Sequence, residues 1–440
     1  MADAPRPRRP SLPRPPRVPA PRLPDPVLRA LRALGLPAAE IGRYWSQEAR
    51  SIRASSGALG VGLLATLMAG AVLIAGRDEL AEHPGLLVLV PAAIGMRGSI
   101  FGALAARLGT GIWTGEFEAE LRRTNFLGRQ IEAVALLTLS TAVETGVLAW
   151  ALARLLGRAV IPLPELVAVS LVAGLLASVF LLFVTIQVAR QSQVRDWTMD
   201  DVGAPLITAT GDLVTLPLLL LATLLLNWPV VADVIGWIGI VAGITAAVVG
   251  WRHDHDRVRR LCRESLVVLT IAVTLQVLAG VVLESRQEAL VAVVPAILGL
   301  VPPFAATCGS LGGLLASRLS SKLHIGMLEP RLLPGKVAGL DVSLTFLLAL
   351  LAFTGTGAIG WVGAALVGTA PPNVLVLLAV SLVGGLMATV ALSSVAYGAA
   401  SAAFRFGLDP DNHGIPIVTA AMDFLGILCL VSAVAITGVG

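Results

Sequence analysis

The chain has 440 residues, of which 56% are hydrophobic and only 14% are charged, with a mean hydropathy of +0.84. This composition excludes an ordinary soluble globular protein. Apolar runs of about 20 residues, the length that an α-helix needs to cross a bilayer, recur along the chain. The formal net charge of +4 is uneven, because residues 1–55 contain 11 Arg against 4 acidic residues. The sequence therefore predicts an all-α polytopic membrane protein with a basic N-terminal arm.

Residues 1–55 are expected to form a disordered arm that ends in a juxtamembrane helix. The first 37 residues include 11 prolines, which favour extended chain over a packed domain. An apolar signal core is absent there, so the arm is expected to stay in the cytoplasm. Its basic charge is expected to face lipid and not nucleic acid. Apolar residues at helical spacing in 38–53 predict a short helix that lies in the interface as a simple anchor.

Eleven apolar segments are long enough to span a bilayer. They cover about 56–76, 85–112, 130–157, 162–189, 203–226, 230–250, 264–284, 289–320, 337–363, 373–401 and 414–438. With a cytoplasmic N-terminus, most of the loop Arg and Lys fall on the cytoplasmic side, in agreement with the positive-inside rule.

The spans divide into two five-span repeats, 56–226 and 264–440, joined by a linker span and a cytoplasmic loop at 227–263. Because the linker adds one crossing, both repeats are expected to start on the same side of the membrane. The predicted fold is therefore a pair of parallel repeats related by a pseudo-two-fold axis along the membrane normal.

Two aspartates near the middle of apolar segments carry the main functional signal. Asp212 ends the sequence DDVGAPLITATGD (200–212), and Asp423 ends DNHGIPIVTAAMD (411–423), 211 residues later. The two sequences share Asp, Gly, Pro, Thr, Ala and Asp at the same places. A carboxylate at bilayer depth is unfavourable in lipid and marks an ion or substrate path by default. Asp212 and Asp423 are therefore predicted to be the ligands of one shared cation site.

A second repeated block, GSIFGALAARL (98–108) and GSLGGLLASRL (309–319), lies on the second span of each repeat. Glycines here, with Pro302 and Pro303, predict helices that are broken or distorted at membrane depth. The alternative is that the small residues only permit close helix packing. Small residues of this block and the hydroxyls one turn before each aspartate are expected to line the pore: Gly98, Ser99, Gly309, Ser310, Thr208 and Thr419.

Other ionisable residues leave alternatives open. The acidic clusters before the two fifth spans are expected either to cap these helices or to form a cytoplasmic vestibule for cations; they are Asp200, Asp201, Asp409 and Asp411. Asp212 and Asp423 have a structural alternative as buried groups paired with Arg97, although Cys308 takes the place of Arg97 in the second repeat. The loop HDHD (253–256) is expected to be solvated and not to bind a metal.

The motif VPAAIGMRGSIFGALAARL (90–108), combined with DPDNHGIPIVTAAMD (409–423), resembles the MgtE-type magnesium channels and the related solute carrier family 41. This resemblance implies that Asp212 and Asp423 line a central pore and bind magnesium, with the second spans as the rest of the wall. It also implies that one duplicated chain replaces a homodimer of five-span units. Ser99 and Ser310 stand where family members usually have Asn, so the two aspartates are expected to carry most of the ion binding.

The sequence thus predicts a divalent cation channel or transporter, with magnesium as the transported ion and with no resident cofactor. The alternatives are a sodium- or proton-coupled exchanger and a non-transporting scaffold or sensor. No Ser/His, HExxH or paired catalytic Asp arrangement is present, so an enzyme is not expected. The expected partners are the cation and the lipid bilayer, and the expected state is a monomeric pseudodimer in a bacterial or archaeal cell membrane.

Overall fold

The computed structural model describes residues 37–118, 122, 125–195, 204–285, 295–324, 326–330, 334–368, 373–405 and 415–438. Over these residues the chain forms thirteen α-helices and no strand. They are α1 (Ala38–Gln47), α2 (Ala49–Ala75), α3 (Arg77–Glu82), α4 (Leu86–Trp113), α5 (Phe126–Leu155), α6 (Leu163–Arg195), α7 (Ala204–Thr223), α8 (Pro229–Trp251), α9 (Asp256–Glu284), α10 (Pro295–His324), α11 (Lys336–Leu366), α12 (Val374–Arg405) and α13 (Ile415–Thr437).

Eleven helices, α2 and α4 to α13, are long and apolar enough to cross a membrane, which confirms the predicted number of spans. The first span begins at Ala49, seven residues before the predicted start at 56. Large apolar side chains remain exposed on the outer faces of the bundle, most densely on the linker helix α8. Such exposure is typical of helix surfaces that contact lipid.

The helices pack in an equivalent way in the two halves of the chain, defined here as the first half (α2 and α4 to α7) and the second half (α9 to α13). Helix α2 packs against α10 and α11 of the second half, and α9 packs against α4 and α5 of the first. Each first span therefore lies against the second and third spans of the opposite half. It also packs against the fifth span of its own half, α2 on α7 and α9 on α13.

Side-chain hydrogen bonds also recur at the spacing of 211 residues. Ser170 Oγ donates to the carbonyl oxygen of Ala142 at 2.7 Å, and Ser381 Oγ donates to that of Phe353 at the same distance. These bonds join the third and fourth spans of each half. The repeated sequence positions thus have equivalent partners in the structure.

Helix α10 runs without a break through Pro302 and Pro303, so the predicted interruption of the second span is wrong. A proline has no N–H for the carbonyl four residues earlier, which leaves the Leu298 and Gly299 carbonyls without that bond. The Gly299 carbonyl oxygen lies against Gly70 of α2, at a place where any Cβ would overlap it. Close packing on a glycine of α2 therefore accommodates this carbonyl in a continuous helix.

Helix α1 is present, but it is more than the simple interfacial anchor that the sequence predicts. Its aromatic face packs on the protein. Ile41 and Trp45 are buried, and Trp45 Nε1 donates to Ser343 Oγ at 3.2 Å. The Tyr44 hydroxyl donates to Asp341 Oδ1 at 2.5 Å. Burial, reinforced by this bond, raises the pKa of Tyr44, so the phenol keeps its proton. Polar partners on α11 hold the helix in place.

An ion-pair cluster lies beneath α1. Asp341 is fully buried and accepts from Arg318 Nε at 3.1 Å and from Lys322 Nζ at 2.6 Å. Arg318 also donates to Glu48 Oε2 at 2.9 Å, which joins the start of α2 to the end of α10. The positive charges of Arg318 and Lys322 therefore compensate the negative charge of the buried Asp341 carboxylate.

Candidate cation site

Asp423 lies on α13, between the second spans of both halves. Its side chain is buried, with an exposed fraction of 9%. A Cβ added to Gly95 of α4 would lie 2.9 Å from Asp423 Oδ2, and one added to Gly309 of α10 would lie 3.6 Å from Oδ1. The carboxylate is thus flanked by α4 on one side and by α10 on the other. Helices α4 and α13, from opposite halves, meet directly at this point.

Asp212 occupies the matching position on α7 and is equally buried, with an exposed fraction of 7%. Both carboxylates are thus buried at equivalent positions of the two halves, in an interior where charges are poorly screened. Within the part of the chain that the structure describes, no side chain donates a hydrogen bond to Asp212. Like charges in a low-dielectric interior are strongly unfavourable unless a cation compensates them. The pair therefore has the electrostatic character of a cation site.

The residues predicted to line the pore fall into two groups. Thr208 and Thr419 pack on the glycines of the second spans: a Cβ on Gly98 would lie 3.8 Å from Thr208 Cγ2, and one on Gly309 would lie 3.1 Å from Thr419 Cγ2. These four residues therefore bring the second and fifth spans of each half together.

The two serines differ from each other. Ser99 Oγ donates to the carbonyl oxygen of Gly95 on its own helix at 3.1 Å. Ser310 is exposed on α10. The acidic residues predicted at the cytoplasmic mouth lie outside the described residues; these are Asp200, Asp201, Asp409 and Asp411.

Arg97 makes no ion pair with either aspartate in the described residues. Its side chain is buried and points to α6, where Nη1 donates to the Gly174 carbonyl oxygen at 3.0 Å and also to Ser178 Oγ. Arg97 Nε is buried without a hydrogen-bond partner among the described residues. The structural alternative, in which Arg97 neutralises the two aspartates by direct contact, is therefore not the observed arrangement.

Sequence reasoning missed Gln276, which hydrogen-bonds to Asp423. Gln276 lies on α9, is 1% exposed, and donates from Nε2 to Asp423 Oδ2 at 2.8 Å. The signal that could have identified Gln276 from the sequence is that it is a polar residue within an apolar span. Its partner, however, lies 147 residues away, and only the packing of α9 on α13 brings the two together.

The donor set suits a hydrated divalent ion. The described residues contain no group of three or more His, Cys, Asp or Glu side chains arranged to hold a metal. Two buried carboxylates are compatible with a hard cation such as magnesium, which keeps most of its water and binds through one or two carboxylates. In the HDHD loop, His255 caps α9 by accepting from Arg257 N at 3.2 Å, and His253 lies 3.4 Å from Glu132.

Buried carboxylates inside an eleven-span bundle are typical of membrane proteins that transport cations. The family model of the MgtE divalent cation transporters matches residues 90–222 and again residues 301–433, more than half of the chain in two segments. The chain belongs to this family, which is described as divalent cation transporters. Each matched segment begins in the second span of a half and ends in its fifth span.

The chain is also similar to vertebrate members of solute carrier family 41. It is 25% identical to member 2 of Xenopus laevis over 403 residues, which cover 83% of this chain and 68% of the relative. It is 24% identical to member 2 of Gallus gallus (83% and 66%) and 23% identical to member 3 of Mus musculus (78% and 73%).

The chain thus spans about two thirds of the length of the first relatives. Because these relatives are vertebrate proteins, they do not support the expected bacterial or archaeal origin. No solved structure shows a significant match to the chain.

Proposed function

We propose that this chain carries magnesium across the membrane through a single central path between its two halves. The observation that carries the proposal is the pair Asp212 and Asp423, two buried carboxylates at matching positions of the two halves. Two negative charges held close together are stabilised when a divalent cation lies between them. In this proposal they are the central ligands of the transported ion.

The packing of the halves supports a shared path. Asp423 lies beside Gly95 of the first half as well as Gly309 of its own half, so a site there draws on both. Parallel halves related by an axis along the membrane normal would place Asp212 and Asp423 at the same depth. Thr208 and Thr419, one turn before the two aspartates, are then the nearest hydroxyl-bearing residues on the same helices.

The carboxylates are expected to hold the ion in its hydrated form. Removing water from magnesium is slow and unfavourable, and the described site provides few neutral ligands to replace it. Contacts to water oxygens at moderate strength also allow the ion to leave, which conduction requires.

Flux of magnesium into proteoliposomes that contain a magnesium-sensitive dye tests the proposal. Asp212→Asn, Asp423→Asn and the double variant remove charge with little change in volume, and Asp233→Asn on the linker helix α8 is the matched control. We expect the double variant to lose flux, each single variant to lose at least tenfold in apparent affinity, and the control to behave as the wild type. A folded double variant with normal flux would refute the proposal and favour a scaffold or sensor.

The coupling mechanism is tested in the same vesicles by removing the sodium and proton gradients. A uniporter or channel, as proposed, continues to pass magnesium down its own gradient. Flux that stops without a sodium or proton gradient would identify the coupled exchanger instead.

A further inference from the structure

The two central aspartates have different surroundings. Asp423 accepts a hydrogen bond from Gln276 Nε2 at 2.8 Å, whereas Asp212 accepts none from a side chain in the described residues. The position equivalent to Gln276 in the first half, 211 residues earlier, is Ala65. The helices correspond, but this contact exists in one half alone.

The space for Gln276 is provided by a second difference between the halves. A Cβ on Gly95 would overlap Gln276 Nε2, so the amide fits only because residue 95 is glycine. The equivalent residue in the second half is Ala306, and the residue equivalent to Gln276 is Ala65, so neither position of that pair is glycine or glutamine. Gly95 lies beside Gln276 at Asp423, whereas alanine occupies both equivalent positions. This difference indicates that the contact at Asp423 is a specific feature of the site.

The chemistry of the contact suits orientation of a ligand. A neutral amide donor fixes one oxygen of a carboxylate without cancelling its charge, as Lys or Arg would. With Oδ2 held by Gln276, Oδ1 stays available on the side of Gly309. The Gln276 Oε1 atom is buried without a hydrogen-bond partner in the described residues, and an acceptor of this kind is satisfied by water.

We propose that Gln276 is a positioning residue of the cation site, which holds Asp423 in the orientation that receives the ion, whereas no side chain of the described residues holds Asp212 in this way. This inference rests on the proposed function, because it concerns the same two carboxylates. Asp423 is then the pre-oriented ligand, and its loss weakens ion binding more than the loss of Asp212. The packing of α9 on α13 brings Gln276 to Asp423, and the packing of α9 on α4 of the first half places Gly95 beside the amide.

The test is a double-mutant cycle on the apparent KM for magnesium in proteoliposomes. Gln276→Leu keeps the volume but removes the donor, and we expect it to raise KM about tenfold, or about 1.4 kcal/mol, with the maximal rate changed less than threefold. Because Gln276 acts through Asp423, Gln276→Leu should add nothing to Asp423→Asn, whereas it should add in full to Asp212→Asn. A merely structural residue would lower the rate or yield of all variants alike.

A transplanted contact gives an independent test that does not require loss of Gln276. Ala65→Gln together with Ala306→Gly rebuilds the donor and its space at Asp212. We expect this variant to lower KM severalfold, and Ala306→Gly alone to leave it unchanged. Size-exclusion profiles in detergent separate folding failure from a change in the site.

The outcomes distinguish this inference from the proposed function. If Asp212→Asn and Asp423→Asn abolish transport but Gln276→Leu and the transplanted pair leave KM unchanged, only the role of Gln276 is wrong. If Gln276→Leu is additive with Asp423→Asn, the residue does not act through that carboxylate and the inference is also overturned. If the aspartate double variant transports normally, the proposed function itself fails.

Discussion

The amide nitrogen of Gln276 donates to Asp423 Oδ2 across 2.8 Å, although 147 residues separate the two along the chain. The bond joins the first and fifth spans of the second half at a point where α4 of the first half also contributes Gly95. Three helices from both halves therefore meet around one oxygen atom of the candidate site. Substitutions that move any of these three helices are expected to change ion binding more than they change stability.

Gly95→Ala is expected to weaken magnesium binding by displacing Gln276. The added Cβ overlaps the end of the flexible Gln276 side chain and lies 2.9 Å from Asp423 Oδ2. Both side chains can rotate away, so the fold is retained while the bond between them is lost. Loss of a hydrogen bond to a charged group amounts to about 1.5–3 kcal/mol, so the apparent KM should rise by about tenfold or more. Concentration-dependent flux in proteoliposomes measures this change.

Ala306→Gly, at the equivalent place in the second half, is the control for Gly95→Ala. It should leave KM at the wild-type value, because the residue equivalent to Gln276 is Ala65, which has no side-chain donor. It is expected to reduce stability by about 1 kcal/mol through helix propensity alone. An unchanged KM in Gly95→Ala would mean that the Gln276 contact does not affect binding.

The spans and the repeat were predictable from sequence because both depend on local composition. Apolar length gave eleven spans, and the spacing of 211 residues aligned Asp212 with Asp423. The contact of Gln276 depends instead on α9 packing against α13 and α4, which no sequence spacing encodes. The relevance of Ala65 and Ala306 to the site can be recognised only when this packing is known.

The errors have a similar physical origin. Pro302 and Pro303 are locally unfavourable in a helix, but the contact between Gly299 and Gly70 on another helix allows α10 to continue. Likewise, the spacing of apolar residues in α1 is the same for a lipid-facing helix and for one that packs on protein. The partners of α1 on α11, Asp341 and Ser343, lie far along the chain and distinguish the two kinds of helix.

Asp341→Ala is expected to reduce stability much more than Gln130→Ala, its counterpart in the first half. Asp341 is contacted by Arg318 and Lys322, whereas Gln130 accepts one bond from Arg107 at 2.8 Å. Removing the carboxylate breaks two ion pairs and, among the described residues, leaves Lys322 without an acidic partner and Arg318 with Glu48 alone, an effect of about 3–5 kcal/mol. Loss of the single bond at Gln130 amounts to about 1.5–3 kcal/mol.

Thermal unfolding in detergent, followed by tryptophan fluorescence, compares the two variants. The Tm should fall further for Asp341→Ala than for Gln130→Ala. Asp341→Asn, which keeps an acceptor oxygen, should give an intermediate Tm. Equal Tm values for the two alanine variants would show that the cluster under α1 does not stabilise the fold.

The Tyr44 phenol is expected to titrate above its ordinary pKa of 10.0, because burial and the bond to Asp341 favour the protonated form. The chain has two tyrosines, so the ultraviolet difference between the wild type and Tyr44→Phe isolates this group. A raised pKa in the folded state contributes stability that is complete below pH 10 and is lost as the pH rises through the folded pKa. The wild type should therefore lose Tm more steeply than Tyr44→Phe above pH 10. Titration of Tyr44 below pH 10 would contradict the buried position of α1.

Arg97→Cys is expected to strengthen magnesium binding. Arg97 lies on the part of α4 that packs against Gly211, the neighbour of Asp212, and its buried charge is bonded to neutral oxygens of Gly174 and Ser178. The second half has Cys308 at the equivalent position, so cysteine is compatible with this packing. A buried positive charge in the same interior repels a cation bound at the aspartates. Removing the positive charge should therefore lower the apparent KM severalfold.

Arg97→Lys separates charge from hydrogen bonding at this position. Lysine keeps the positive charge but cannot reproduce the planar set of guanidinium donors, so KM should stay near the wild-type value if charge is the cause. The same proteoliposome assay, performed at two ionic strengths, provides the comparison, since a buried charge is screened little by salt. Equal shifts in KM for Arg97→Cys and Arg97→Lys would instead assign the effect to the lost bonds with α6, because both variants lose them while only one loses the charge.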